Sequence, residues 1–551
     1  VSFLFLFTSY IPNLYEASVV DIMPSDRVML WGEHIYTYDY NIYLSKMKQG
    51  AEGRWSVVDK YDNNPKQKGV FLQMLYLLAG KAGGLINLSL PLTFHLLRTV
   101  LSFAWVLTII YLNVFFLKKP KYYIPGVLLS LLAASFPVFY KYQNEWWVGY
   151  HMSWWTEMDV LKRISYIPHY TLNYIIVALL AISITKLKVE NGKLKVKKFS
   201  ILNSQFLIVC IVLLFSFFIH PSAGILFFFS WFLYHLLKTI WFRDYDRDQL
   251  VKIVIYTAVL IITALVPLLY IRSITSTYPW KSLVDFDRYN RFPLDVKEYI
   301  LALGPIFFTG VLGIILALIR KEKKLLSLVT WVLGAFTAIY VFKKFPYQSE
   351  LRFVQTANHV PLAIFSVYLF QNIVTRFRNK LVLLVLLIIF VGIILLGVTQ
   401  SYFSIRAQTD FIHQRAVAGQ PLVPYPPQVM YPLKDYWQAM EWLEKNSKNE
   451  DVVISQVNAG NYIPAHTGNF VYVGHNPETP HYSERINLVD RFFSGTMSEK
   501  DAYDFLRKEN ISYVFYGPQE KEKSVEDIKK YTFLKHVFAS SYVLLYKVEV
   551  K

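Results

Sequence analysis

The residues best equipped for chemistry sit in polar, aromatic-rich segments between long apolar runs. Trp31-Gly-Glu-His-Ile-Tyr-Thr-Tyr-Asp-Tyr40, followed by Tyr43, Lys46 and Gly50, brings carboxylates, an imidazole and phenols into one short stretch. Asp39 has the chemistry of a general base toward a hydroxyl, and Glu33 is the second carboxylate of the pair. Asp59 and Asp62 are candidates for the same role, His34 can assist, and Tyr38 and Tyr43 are substrate-binding candidates. The plain alternative for Asp39 is a helix N-cap, because it opens a short amphipathic pattern that Gly50 can end.

A second segment, Lys343-Lys-Phe-Pro-Tyr-Gln-Ser-Glu-Leu-Arg352, carries cations. The planar guanidinium of Arg352 can grip a phosphate through two parallel hydrogen bonds. Lys344 and Arg163 are further cations for that anion, although Lys344 is equally an ordinary lipid-headgroup contact and Arg352 can snorkel to headgroups. Between them lies a loop with Trp146, Trp147, Trp154, Trp155, Glu157, Asp159, Arg163 and His169. Its tryptophans suit an interfacial belt or a sugar or prenyl platform, and His169 is a substrate-binding candidate. His169 and His220 are isolated in sequence and give weak metal evidence. The Asp285-Phe-Asp287 match to a nucleotide-sugar pattern is too short to carry weight, and no Gly-rich phosphate cradle occurs. No cofactor is required by these residues, and a divalent metal ion is left open.

The elements that must position these groups are membrane helices. Hydrophobic residues make up 54% of the 551 and charged residues 17%, outside the range of ordinary soluble chains. The formal charge of +18 sits largely in short loops between apolar runs, which points to membrane topology and excludes nucleic acid as a partner. The lone Cys210 lies in an apolar run and rules out an intramolecular disulfide or a Cys-based zinc site. Runs near 90–117, 122–140, 170–186, 200–219, 222–240, 250–272, 297–319, 325–342, 357–374 and 380–399, with a partial helix at 1–11, predict about eleven spans. The 1–11 stretch reads as the remainder of a first helix whose start is missing, with a signal-peptide remnant as the alternative.

Basic loops at 118–121, 186–198, 320–324 and 376–380 fall on one side of this scheme, which makes that side cytoplasmic. The 12–68 loop, the 343–353 loop and everything after Gln400 then lie outside. The expected organisation is a transmembrane domain at 1–400, a proline-rich connector at 401–432 containing Pro421–Pro427, and a soluble extracytoplasmic α/β domain at 433–551. In that domain, 435–445 and 498–508 have helical spacing, 452–455, 470–473 and 511–516 are strand-like, and 534–548 reads as a hairpin. Gly460–Gly468 reads as a rigid turn, with the alternative that, together with His466 and His475, it faces the membrane site and serves an acceptor or a partner protein. The fold class is thus a polytopic α-helical membrane protein with a C-terminal α/β domain.

The chain resembles the GT-C glycosyltransferases, multi-spanning enzymes that take sugars from polyprenyl-phosphate carriers, and in particular the dolichyl-phosphate-mannose mannosyltransferase-like group. The resemblance rests on Tyr38-Asp39-Tyr40 in a long first loop and on Leu351-Arg352-Phe353 near a late helix boundary. It rests also on the tail strings Gly460-Asn-Tyr-Ile-Pro-Ala-His-Thr-Gly468 and Val471-Tyr-Val-Gly-His475 with Glu478-Thr-Pro480. It implies that Asp39 is the base, that Arg352 contacts the donor phosphate, and that sugar moves to an acceptor hydroxyl with inversion. Some class members pair two adjacent acidic residues where this chain has Asp39 followed by Tyr40, which leaves the role of Glu33 and metal dependence open. The implied partners are a polyprenyl-phosphate sugar donor, a lipid, glycan or protein acceptor, and the bacterial plasma membrane. A lipid-linked glycan flippase and a glycan polymerase or ligase are the competing readings.

Overall fold

The computed structural model describes residues 2–187, 204–345, 348–377, 379–417 and 430–549. The proline-rich 421–427 stretch, most of the 186–198 basic loop, the start of the 200–219 run, Arg378, Pro346 and Tyr347 lie outside the described residues. By contacts the chain forms two compact units, one of Val1–Pro12, Arg98–Tyr270 and Arg291–Ala407, the other of Asn13–Leu97, Ile271–Asn290 and Gln408–Lys551.

The first unit is built of apolar helices. Among the described residues, six helices of the whole chain are long and apolar enough to cross a membrane: Leu90–Phe116, Pro168–Lys186, Pro221–Phe242, Arg247–Thr275, Lys323–Phe342 and Lys380–Ala416. A seventh candidate is the pair Val296–Leu303 and Pro305–Ile319, bent by 91°. Gly304 makes that bend, at φ +68°, where a Cβ would fall 1.9 Å from the carbonyl oxygen of Ala134. Pro305 then starts the next helix without needing an N–H partner.

The expected count of eleven is not reached by length and apolarity. Ser204–Ile219 has only 16 residues, and the expected first helix is two short pieces, Ser2–Ser9 and Ile11–Ser18. The expected 122–140 span is a helix only over Tyr123–Leu132. It gives way to a hairpin of strands β1 (Pro137–Tyr142) and β2 (Glu145–Tyr150), whose turn residues Gln143 and Asn144 both adopt positive φ. Aromatic and β-branched residues on both strands favour this conformation over a helix.

In the second unit, strands β3 (Val452–Ile454), β4 (Phe470–Val471), β5 (Ile511–Tyr516), β6 (Leu534–Ala539) and β7 (Leu544–Val548) form a sheet in the order β4-β3-β5-β7-β6. β4, β3 and β5 are parallel, and β6 and β7 are the antiparallel hairpin expected from sequence. Alternate residues enter two cores. Val452, Ile454 and Val514 pack with Phe492, Phe493 and Leu506 from helices Tyr482–Phe493 and Glu499–Lys508. Val453, Tyr513 and Phe515 pack with Met440, Leu443 and Ile463 from Lys434–Asn446 and Val457–His466. Each such side chain contributes about 1.5–3 kcal/mol by burial.

Ile42 and Tyr61 belong to the second core, and the backbone N–H of Val471 bonds the carbonyl of Lys60 at 2.9 Å. The 13–97 segment is therefore grouped with the C-terminal domain by contact, whereas the sequence division assigned it to 1–400. Gly460–Gly468 is not a turn over its length. Helix Val457–His466 occupies most of it, and Gly468 at φ +83° follows the helix end.

Candidate functional site

Asp39 sits in the first turn of helix Thr37–Ala51, whose N-cap is Tyr36. It is therefore inside the helix and does not cap it. Its Oδ1 accepts a hydrogen bond from His475 Nε2 at 3.2 Å. This bond puts the imidazole proton on Nε2, and the buried Nδ1 has no hydrogen-bond partner among the described residues. The Asp39 side chain keeps 46% exposure while that of His475 keeps 2%. A carboxylate held from behind and open in front has the geometry of a proton acceptor.

His475 is itself fixed on several sides. Its ring lies 4.2 Å from that of Tyr38 and 5.9 Å from that of Tyr61. The Tyr38 hydroxyl accepts from the backbone N–H of Asn476 at 2.8 Å, and burial holds this phenol well above its ordinary pKa, so it stays neutral. Thr479 closes the turn: its Oγ1 accepts from the N–H groups of Gly474 and His475, and its N–H donates to the His475 carbonyl at 2.7 Å. Gly460 and Gly474 let helix Val457–His466 approach this turn. A Cβ on Gly460 would lie 2.0 Å from the Val473 oxygen, and one on Gly474 would lie 2.2 Å from the Gly460 oxygen.

Beneath the turn, Lys46 Nζ and Glu478 Oε1 form a 2.6 Å ion pair with side-chain exposures of 2% and 3%. Asp59 is buried beside it. Burial first, then the charges of Glu478 and Asp62, push its carboxyl well above the usual range. Asp62 pairs with Arg485 at 2.8 Å, and Arg485 also donates to the Tyr472 carbonyl. Asp59 and Asp62 thus belong to a buried polar network.

Glu33 and His34 are buried elsewhere in this unit. His34 Nε2 bonds Gln408 at 2.9 Å, and its Nδ1 lies 3.6 Å from Glu33 and 3.8 Å from Glu16. Glu33 is fully buried, which suits a structural role better than exchange with solvent. Tyr43 is buried in a ring stack with Tyr76. Gln408 and Glu16 carried no motif in the sequence.

The other unit holds a separate cationic constellation. Arg352 lies on the 3₁₀ turn Glu350–Phe353, and its Nη1 donates to the Tyr170 hydroxyl at 2.8 Å. Tyr170 neighbours His169 at 4.2 Å and His220 at 5.2 Å between ring centroids, so two histidines isolated in sequence meet here. Trp331 Nε1 donates to the Thr356 carbonyl at 3.0 Å, Asn173 to the Gln355 carbonyl at 3.0 Å, and the N–H of Ala357 to Glu157 at 3.1 Å. These bonds fix the segment that carries Arg352.

Arg163 does not join that group. Its guanidinium donates to the carbonyls of Leu131 and Ala133 at the end of helix Tyr123–Leu132, and burial draws its pKa down to about 10 against the opposing charges of Glu157 and Asp159. It satisfies orphan helix carbonyls. Lys344 is exposed, with its Nζ 5.4 Å above the Tyr340 ring. No group of three or more His, Cys, Asp or Glu among the described residues is arranged to hold a metal ion.

No family model matches the chain, and no curated protein sequence matches it. Solved structures do. The oligosaccharyltransferase AglB from Archaeoglobus fulgidus, in complex with an inhibitory peptide and a dolichol-phosphate, aligns over 98% of this chain and 74% of its own at 13% identity, with a TM-score of 0.53. ArnT from Cupriavidus metallidurans, bound to undecaprenyl phosphate, aligns over 98% of this chain and 97% of its own at 8% identity, with a TM-score of 0.51. With its apolar helices and C-terminal sheet domain, the chain therefore shares the fold of these structures, the GT-C fold.

Proposed function

We propose that the protein transfers a sugar from a polyprenyl-phosphate carrier to an acceptor hydroxyl with inversion at the anomeric carbon. The observation that carries this reading is the His475–Asp39 hydrogen bond, which leaves the Asp39 carboxylate oriented and half exposed in a chain of GT-C fold. That ArnT and AglB were solved with prenyl phosphates supports the donor class.

Asp39 takes the proton of the acceptor hydroxyl as the acceptor oxygen bonds to the anomeric carbon. The bond from that carbon to the phosphate oxygen breaks, and its electron pair leaves on the phosphate. Arg352 is the cation assigned to that charge, with Tyr170 setting its orientation. His169, whose ring packs on Tyr170, is assigned to the donor as well, and Tyr38 acts by holding His475. In this reading the protein is a multi-pass protein of the bacterial plasma membrane, with the C-terminal domain extracytoplasmic, and Glu33, Arg163 and Lys344 have no part in the chemistry.

The test is transfer in proteoliposomes from a panel of polyprenyl-phosphate sugars to envelope-extract acceptors, with anomeric configuration read by NMR. Inverted product supports the single displacement. Retained configuration, or no transfer from any donor, contradicts it.

A further inference from the structure

The hairpin of β1 and β2 has two unlike faces. Residues paired across an antiparallel ladder share a face, so Tyr140, Trp147, Tyr142 and Glu145 lie on one side and Phe139, Val148, Lys141 and Trp146 on the other. The first side is pinned to helix Lys380–Ala416 through Trp147 and Glu145, while its Tyr140 and Tyr142 stay 45% and 46% exposed. Trp147 packs 5.5 Å from Phe403, the Arg406 guanidinium lies 4.5 Å over the Trp147 ring and pairs with Glu145, and Gln400 donates to the carbonyls of Ser135 and Gly149. On the second side Phe139 is 65% and Trp146 63% exposed, and Lys141 Nζ lies 5.2 Å from the Trp146 ring. An isolated two-stranded hairpin with one face bare is marginal in water.

The pinning residues also say where along the membrane normal this face sits. The apolar run Leu381–Val398 of the anchoring helix is about 27 Å long at 1.5 Å per residue, close to the roughly 30 Å of a bilayer's hydrocarbon core. Gln400, Phe403 and Arg406 follow its end by about 3, 8 and 12 Å. The hairpin is thus attached at the level where hydrocarbon gives way to headgroups. Trp, Phe and Lys together on one face match that layer: rings settle at the boundary, and the ammonium meets lipid phosphate.

We propose that the Phe139–Lys141–Trp146 face is a membrane-interface contact, seated in the headgroup layer of the bilayer on anionic lipid. It continues the lipid-exposed surface of helix Lys380–Ala416 and does not depend on the sugar-transfer reading.

The test uses a Cys210→Ser background carrying Phe139→Cys or Trp146→Cys, spin-labelled and reconstituted in nanodiscs of 7:3 phosphatidylethanolamine and phosphatidylglycerol. Val525→Cys, exposed on the C-terminal domain, is the aqueous reference. Labels at 139 and 146 are expected to collide several-fold more with oxygen, relative to a water-soluble nickel chelate, than the label at 525. Equal ratios at all three positions overturn the proposal. Hydroxyl-radical footprinting of the unsubstituted protein covers the case of a variant that misfolds. Trp146 oxidised several-fold more slowly than exposed residues of the C-terminal domain supports the proposal, and Trp146 oxidised as fast as they are refutes it.

Discussion

The buried Lys46–Glu478 pair gives an asymmetric prediction. The ammonium and carboxylate meet at 2.6 Å with almost no exposure, and Asp59 lies beside them with its carboxyl held above the usual range partly by Glu478. Removing one partner of a buried pair typically costs about 3–5 kcal/mol because the other charge is left uncompensated. Lys46→Met leaves Glu478 among acidic neighbours and takes the full cost. Glu478→Gln removes one of the charges that disfavour ionisation of Asp59, so Asp59 can become the counterion of Lys46, and the cost falls below that range.

Hydrogen exchange by mass spectrometry on peptides covering 457–480 reads this in the intact protein. A loss of about 3 kcal/mol raises exchange through local opening roughly 100-fold. The expected order is Lys46→Met well above Glu478→Gln, with the double variant less than the sum of the two. Equal acceleration by the two single variants, or additivity in the double, would refute the reasoning.

Two further outcomes follow from the same geometry. Arg352→Lys keeps the charge but loses the planar fork, so the KM for a prenyl-phosphate sugar donor is expected to rise roughly tenfold or more while the KM for the acceptor is unchanged, as steady-state kinetics in nanodiscs would show. Glu520 is fully buried, and burial raises its carboxyl from 4.5 to about 7 against the opposing N–H bonds of Gln456 and Gly517. The folded state therefore holds a proton that the unfolded chain releases. This contribution is complete below pH 4.5 and is lost as pH rises through about 7, worth about 3 kcal/mol in all. Exchange protection of strand β5 measured across pH 4.5–7.5 should fall accordingly, and Glu520→Gln should flatten the trend.

Much of the C-terminal domain was legible because its signals are local. The strand-like runs at 452–455 and 511–516, the helical spacing at 498–508 and the hairpin at 534–548 each lie within a few residues. Asp39 stood out by residue type in a polar loop. What gives it a partner is His475, 436 residues away, and no periodicity reports such a pairing. The tail string was visible, but Gly460 read as part of a turn because its close packing against Val473 is tertiary. The burial of Glu33 was hidden for a related reason, since a carboxylate in a loop looks exposed until the surrounding chain is folded around it. Arg163 likewise became a helix-end donor. The helix broken at Gly304 was read as one span because apolarity runs through the bend.

The central claim is that Asp39 accepts the acceptor's proton. Its most direct test compares transfer from a labelled polyprenyl-phosphate sugar by the parent and by Asp39→Asn, which keeps the size and the acceptor for His475 but cannot take a proton. The account predicts a fall in turnover of roughly 10²–10⁴-fold with donor affinity unchanged. Turnover within tenfold of the parent, at equal abundance and folding, would contradict it.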